Sequence, residues 1–352
     1  MRIRRAATLA CTFEGAEPVL HNFLTREMFA CDARTVDVLA ALDDWTAMDE
    51  LLARLPGSPD AAAAILRELL ARELVLVEAS PAAERDARYR ETWRWGTVAG
   101  FYHFGVRDAE FLDGEATVDR LRSFGGPASS PPLLASNRGF ADVTALPAFD
   151  RDDDFFNVLY RRRSRRQFSG EAISQAVLAD CLFAGNGYQE TLDAGEFGRL
   201  PLTMTPSGGA RNPFELYVYA RNVDGLKPGF HHYSAAEHSL GFLHDRELPA
   251  PAALLGDQPW TNKAAAVIFL CADFPRPAWK YRQALAYRTV LMEVGCITQN
   301  IQLAATYRGI AAAPTGALAE TAIEALLELE EITQAALFAV VLGAPSLALS
   351  VR

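Results

Sequence analysis

Four arginines flank a serine in Arg162-Arg163-Ser164-Arg165-Arg166, within a chain of 352 residues whose formal net charge is −10. Guanidinium groups stay charged and present forked donors that match phosphate oxygens, and a serine hydroxyl adds another donor. Charge runs are usually solvated surface, so this run points to phosphate only in company. Two other segments supply the company. Pro206-Ser207-Gly208-Gly209-Ala210-Arg211-Asn212-Pro213 holds paired glycines that let backbone approach a flat ligand. Ala313-Pro314-Thr315-Gly316-Ala317 can turn backbone N–H groups toward a ring edge.

Other chemistries are excluded or disfavoured. No GxGxxG follows a strand and no GxxxxGK[ST] occurs, so a phosphate held here is held by side chains. The five cysteines (Cys11, Cys31, Cys181, Cys271, Cys296) form no CxxC pair and read as reduced thiols of a cytoplasmic protein. His231-His232 has no carboxylate or cysteine at a metal-site spacing, so no metal is expected. The acidic balance argues against nucleic acid as a partner. No apolar run is long enough for a membrane span, and the basic start Met1-Arg2-Ile3-Arg4-Arg5 leads to no convincing signal-peptide cleavage site.

Three stretches must position these groups. Residues 1–90 read as a small separate unit. Helices are expected over Thr35 to Leu42 (Thr35 as N-cap), Met48 to Leu55 (Thr46 as N-cap) and Ala61 to Arg72 (Asp60 as N-cap), followed by a strand at Leu74 to Val77. That order is winged-helix-like, and the lack of a basic recognition helix favours peptide over DNA. Residues 91–150 form an aromatic-rich connector with Trp93, Trp95, Phe101, Tyr102, His103 and Phe104, then a Gly/Pro/Ser-rich loop that reads as a lid or a linker. The aromatics either line a peptide groove or pack as core, and core is expected for at least half. Residues 151–352 form the larger unit. There a helix begins at Phe155 and ends in the arginines, and Ser174 caps another that Gly185 and Gly187 close. Strands lie at Glu215 to Ala220, Ala264 to Cys271 and Ala336 to Leu342. A long helix runs from about Ala284 to Tyr307, with a core seam at Val290, Val294, Ile297, Ile301 and Ala304. The expected class is α+β, a sheet flanked by helices.

Taken in order, the motifs resemble the nitroreductase-like flavoproteins, and within them the SagB-type peptide-maturation dehydrogenases, which include azoline oxidases. The matching residues are Arg162 to Phe168, Pro206 to Pro213, Pro228-Gly229-Phe230-His231-His232-Tyr233, Lys280-Tyr281-Arg282, Glu293-Val294-Gly295, Gln299-Asn300, Pro314-Thr315-Gly316 and Val341 to Pro345. The resemblance implies a homodimer with FMN at its interface. Arg162, Arg163, Ser164 and Arg166 match the segment on the FMN phosphate and ribityl chain, Ser207 and Gly208 the segment against the isoalloxazine, and Thr315 and Gly316 the backbone near its N5 edge. Arg352 is the one basic residue placed to serve as the C-terminal phosphate contact of many relatives. Lys280-Tyr281 matches the pair used by azoline-oxidising members, with Tyr281 as base and Lys280 as its activator or a substrate-orienting charge. Two departures, Cys296 where histidine is common and His231 where tyrosine is usual, bear on the substrate pocket.

The implied function is FMN-dependent oxidation of a ribosomally synthesised precursor peptide, azoline to azole, with a cyclase as a possible partner. The same motifs allow an NAD(P)H-dependent reductase of a dehydroamino acid or of a small nitro or quinone substrate. A non-catalytic subunit that presents a leader peptide is the third reading.

Overall fold

The computed structural model describes residues 1–14, 17–54, 58–123, 153–195 and 198–346. Arg352 and the expected Gly/Pro/Ser-rich loop, residues 124–147, lie outside the described residues.

The chain's longest strand stretches are its most apolar ones. Every residue from Ala266 to Ala272 is buried, as a strand covered on both faces requires. This strand lies inside a six-stranded sheet. In spatial order the strands are Ser239–His244, Gly229–Ser234, Phe214–Ala220, Ala266–Asp273, Gln334–Gly343 and Ala311–Thr315, each antiparallel to its neighbours. The long helix, Leu285–Tyr307, covers one face. Val290, Val294, Ile297 and Ile301 are buried as the seam predicts, and Ala305 rather than Ala304 completes it. Helix Gln175–Asn186 packs alongside, capped by Ser174, whose hydroxyl accepts from Val177 N–H. Gly187 does cap its end, but Gly185 does something else. A Cβ there would sit 2.7 Å from Ile301 Cγ1, so glycine sets the closeness of the two helices. The opposite sheet face carries Tyr219, Phe230, Val267 and Phe269 in a second buried cluster.

The N-terminal unit contains the expected helices at Ala33–Ala40, Met48–Arg54 and Pro59–Ala71, with strand Val75–Val77 after them. Asp32, not Thr35, caps the first, and Thr46 belongs to a two-residue strand instead of a cap. The third begins after Ser58, so Asp60 lies inside it. Arg2–Arg5 pairs with both short strands, and Leu9–Glu14, Glu17–Asn22 and Glu27–Ala30 form a meander. The meander is hard to read from sequence because its strands are short and, of their described residues, only Val19, Leu20 and Asn22 are buried.

Helix Pro81–Thr92 leads from the N-terminal unit into the connector, whose described part is helical at Gly96–Gly105 and Gly114–Ser123. Trp93, Trp95, His103 and Phe104 are buried, whereas Tyr102 is exposed. Trp93, Trp95 and Phe104, with Phe23 and Tyr89, belong to the same apolar cluster as Ile268 and Val290, so core packing runs without a break from residue 23 to the sheet. Charges reinforce it: Arg85 pairs with Glu331, Arg88 with Glu330 at 2.8 Å, and Arg107 with Glu324.

The Arg107–Glu324 pair is buried on both sides. Burial pushes the Glu324 carboxyl up to about 7, against Arg107 and the Ala336 N–H, which favour its charged form. Between the ordinary value of 4.5 and about 7, the folded chain keeps a proton that the unfolded chain has released. The stability contributed by this proton is complete below that window and drains as pH rises through it. Urea denaturation should show this decline in the wild type and its loss in Glu324→Gln. Parallel pH profiles for the two would contradict it.

Candidate active site

Local sequence explains how the arginine segment is held. Helix Asp154–Arg161 starts at Asp153, whose carboxylate accepts from the N–H groups of Phe155 and Phe156, and ends at Arg162 in extended backbone. From there the chain runs as a strap. Arg165 N–H donates to Ala312 O at 2.9 Å, Ser169 N–H donates to Ala344 O at 2.9 Å, and Phe168 is buried against Gly343. The apolar residue fastens the strap and the guanidiniums are left at the surface. Arg162 is half-buried and donates to Gln302 Oε1 at 3.3 Å. Arg163 donates to the carbonyls of Tyr160 and Arg162, and Arg166 lies over the Trp260 ring at 5.6 Å. Ser164 is exposed. Among the described residues none of Arg162, Arg163, Arg165 and Arg166 has a carboxylate partner, although the chain has 44 Asp and Glu. An acidic protein that leaves four neighbouring guanidiniums without carboxylates has a surface that fits a phosphate.

The second segment is built on the other side of the long helix. Ser207-Gly208-Gly209-Ala210 turns tightly, with Gly209, Ala210 and Asn212 at φ of 63°, 52° and 43°. The Gly208 N–H donates to Glu293 Oε1 at 2.8 Å, and Ser207 Oγ accepts from Asn212 N–H at 2.9 Å. Glu293 is buried, which pushes its carboxyl up, while bonds from Gly208 and Ser207 pull it back. Gly209 is fixed by space as well as by φ. A Cβ there would collide with the Tyr281 hydroxyl and lie 2.9 Å from Lys280 Nζ.

Lys280 ends the short helix Pro275–Lys280 and Tyr281 follows it. Arg276 in that helix pairs with Glu215 and donates to Asn212 O at 3.0 Å, tying the helix to the glycine turn. Glu215 also meets His232 Nε2 at 2.7 Å. Lys280 Nζ stands 5.3 Å from the centre of the Tyr281 ring. Trp279 is exposed beside them with Arg211 over it at 5.2 Å.

These pieces enclose a cavity of about 610 Å³, lined by Gly208, Lys280, Tyr281, Arg282, Thr289 and Glu293, among others. Its size suits a flat, multi-ring ligand. The structure therefore brings Gly208, Lys280 and Tyr281 together. The arginine strap is elsewhere in the same chain. Its contact Gln302 lies nine residues beyond Glu293 in the long helix, about 14 Å along the axis. Thr315 is buried and its hydroxyl accepts from Gln258 Nε2 at 2.9 Å and from Ala317 N–H at 3.1 Å, whereas Gly316 is exposed. Neither departure noted in the sequence lines the cavity. His231 is buried and bonds Lys227 O at 2.9 Å, and Cys296 is exposed. Glu293, Thr289 and Trp279 were not singled out as site residues. Glu293 had a signal: it is a carboxylate on the buried face of an apolar seam. Among the described residues no cluster of His, Cys, Asp or Glu forms a metal site, and no helix is long and apolar enough to cross a membrane.

Comparison with known proteins decides the lineage. A model of the nitroreductase family matches residues 159–344. The chain belongs to the nitroreductase family. Within the family it is 31% identical over 176 residues to the protein MJ1384 of Methanocaldococcus jannaschii, covering 50% of this chain and 84% of that one. It is 30% identical over 142 residues to the trifolitoxin-processing protein TfxB of Rhizobium leguminosarum bv. trifolii, covering 39% of this chain and 38% of TfxB. The nitroreductase-like fold also extends to a solved chain of the E. coli microcin synthetase McbBCD complex, determined with truncated pro-MccB17 bound. The TM-score is 0.52 at 20% identity, covering 75% of this chain and 92% of that one.

Proposed function

We propose that this protein is an FMN-dependent dehydrogenase of a ribosomally synthesised peptide that oxidises azoline rings to azoles. The observation that carries the reading is the cavity in which Gly208, Lys280 and Tyr281 meet, in a member of the nitroreductase family. The likeness to a trifolitoxin-processing protein and to a microcin synthetase chain supports a peptide as substrate.

Arg162, Arg163, Ser164 and Arg166 would hold the FMN phosphate and ribityl chain, with Arg352 as a further candidate. Ser207 and Gly208 would lie against the ring system, and Thr315 and Gly316 would offer backbone at its edge. FMN, when bound, supplies the two-electron acceptor. Tyr281 takes the proton released from the azoline carbon, and Lys280 stabilises the phenolate or orients the substrate. A homodimer joins arginine strap and glycine turn into one cofactor site. Exposed apolar side chains on the helices beside both, Phe155, Phe156, Leu285 and Met292, suit such an interface.

The N-terminal unit is proposed to hold the leader of the precursor peptide. A groove of about 390 Å³ runs between strand Glu27–Ala30 and helix Pro59–Ala71, lined by Leu20, Met28, Phe29, Ile65 and Leu69 among others. Among the described residues that strand pairs on one side only, with Glu17–Asn22, which leaves its other edge to an added peptide strand. Ile65→Glu should weaken leader capture about tenfold or more while FMN content stays constant. Unchanged capture, read by fluorescence anisotropy of a labelled leader, would remove the groove from the account.

The function is tested by incubating FMN-loaded protein with a synthetic thiazoline-containing peptide in air. Mass spectrometry should show loss of two hydrogens at the ring. An unaltered peptide, with NADPH-driven reduction of menadione instead, would favour a reductase.

A further inference from the structure

Tyr281 leaves a helix of only six residues, and the end of so short a helix has few bonds of its own. A proton-transfer residue there needs support from outside. The glycine turn supplies it on the side-chain side, as described. On the backbone side it comes from the connector: the indole N–H of Trp95 donates to the Tyr281 carbonyl oxygen at 2.9 Å. Trp95 is 3% exposed. Its ring centre lies 5.4 Å from that of Trp93, 5.4 Å from that of Phe274 and 5.6 Å from that of Tyr287. Phe274 precedes the short helix and Tyr287 follows Tyr281 in the long helix. One buried ring thus contacts the chain before, at and after the Lys280–Tyr281 pair. Tyr287 is itself held by His103 of the connector, with Nδ1 and the Tyr287 hydroxyl 3.0 Å apart.

We propose that Trp95 is a positioning residue for Lys280 and Tyr281, so that the connector, although none of its described residues lines the large cavity, completes the active site. The inference rests on the reading of Tyr281 as the proton acceptor. The ring and the N–H have separable tasks. The ring fills space that another aromatic can partly fill. The N–H is a donor with no alternative on that side chain, and it fixes the backbone carbonyl one residue past Lys280. Losing it frees the peptide plane between Tyr281 and Arg282 to rotate, which moves the phenol relative to the glycine turn. Small displacements of a reacting group are costly in rate and nearly silent in binding.

The test compares three full-length proteins: wild type, Trp95→Phe, and a protein carrying benzothienylalanine at position 95, an isostere with sulfur in place of the N–H. Amide hydrogen exchange over residues 276–286 needs no substrate. It should rise several-fold in both altered proteins while the strand Ala266–Asp273 stays protected. With the thiazoline peptide, kcat should fall roughly tenfold or more at unchanged KM and FMN content. The drop should largely vanish when Trp95→Phe is made in a Tyr281→Phe background, because the group being positioned is already gone. Normal exchange and normal kcat with benzothienylalanine would overturn the proposal alone, provided Tyr281→Phe is impaired. A loss of equal size in both backgrounds would reduce Trp95 to packing and also overturn it. Full turnover by Tyr281→Phe would overturn the proton-acceptor reading, and this inference with it.

Discussion

Arg162→Ala combined with Arg166→Ala is expected to yield a colourless protein. Each charge-assisted bond to a phosphate contributes about 1.5–3 kcal/mol, so losing two costs about 3–6 kcal/mol. That is roughly a hundredfold to ten-thousandfold in FMN affinity. The fold should survive, because the strap is fastened by Phe168 and by backbone bonds to Ala312 and Ala344, not by the guanidiniums. Arg163→Ala alone should do less, since its guanidinium is partly occupied by the Tyr160 and Arg162 carbonyls. Visible absorbance after purification, followed by FMN titration, reads the outcome. An undiminished flavin content in the double variant would show that the phosphate is held elsewhere.

Tyr281→Phe is expected to give the opposite pattern: a yellow protein that turns over slowly. A positioned general base contributes about a hundredfold to ten-thousandfold, and the substitution removes only the hydroxyl. The ring is partly exposed at the cavity and its hydroxyl faces the glycine turn, so neither packing nor the arginine strap is disturbed. Initial rates on the thiazoline peptide, with FMN content measured alongside, separate chemistry from cofactor loss. Wild-type kcat in this variant would remove Tyr281 from the mechanism.

What the sequence reveals follows from which interactions are local. The long helix and the central strand were legible because an apolar seam at steps of four and three, and an unbroken apolar run, each admit few alternatives. The arginine strap and the glycine turn were legible as chemistry, since guanidinium clusters and paired glycines are informative at any location. The N-terminal meander was not, because its strands are short and half-exposed. Caps were misplaced by a few residues where neighbouring Asp, Ser and Thr compete for the same role, as Asp32 and Thr35 do. Relations distant in sequence were hidden altogether. Nothing in the residues near Trp95 announces a bond to a carbonyl 186 positions away. Gly185 looked like a helix stop and is instead the point where Ile301 approaches. The separation of the arginine strap from the cavity was equally invisible, because motif order in a chain carries no distance.

If the cavity of Lys280 and Tyr281 oxidises a peptide ring, FMN held beside it would supply the two-electron acceptor. Anaerobic stopped-flow mixing of the FMN-loaded protein with the thiazoline peptide tests it in a single turnover. The visible flavin band should bleach in proportion to azole formed, and NADPH without peptide should leave it unchanged over the same time. A band that persists with the peptide and bleaches rapidly with NADPH would contradict the account.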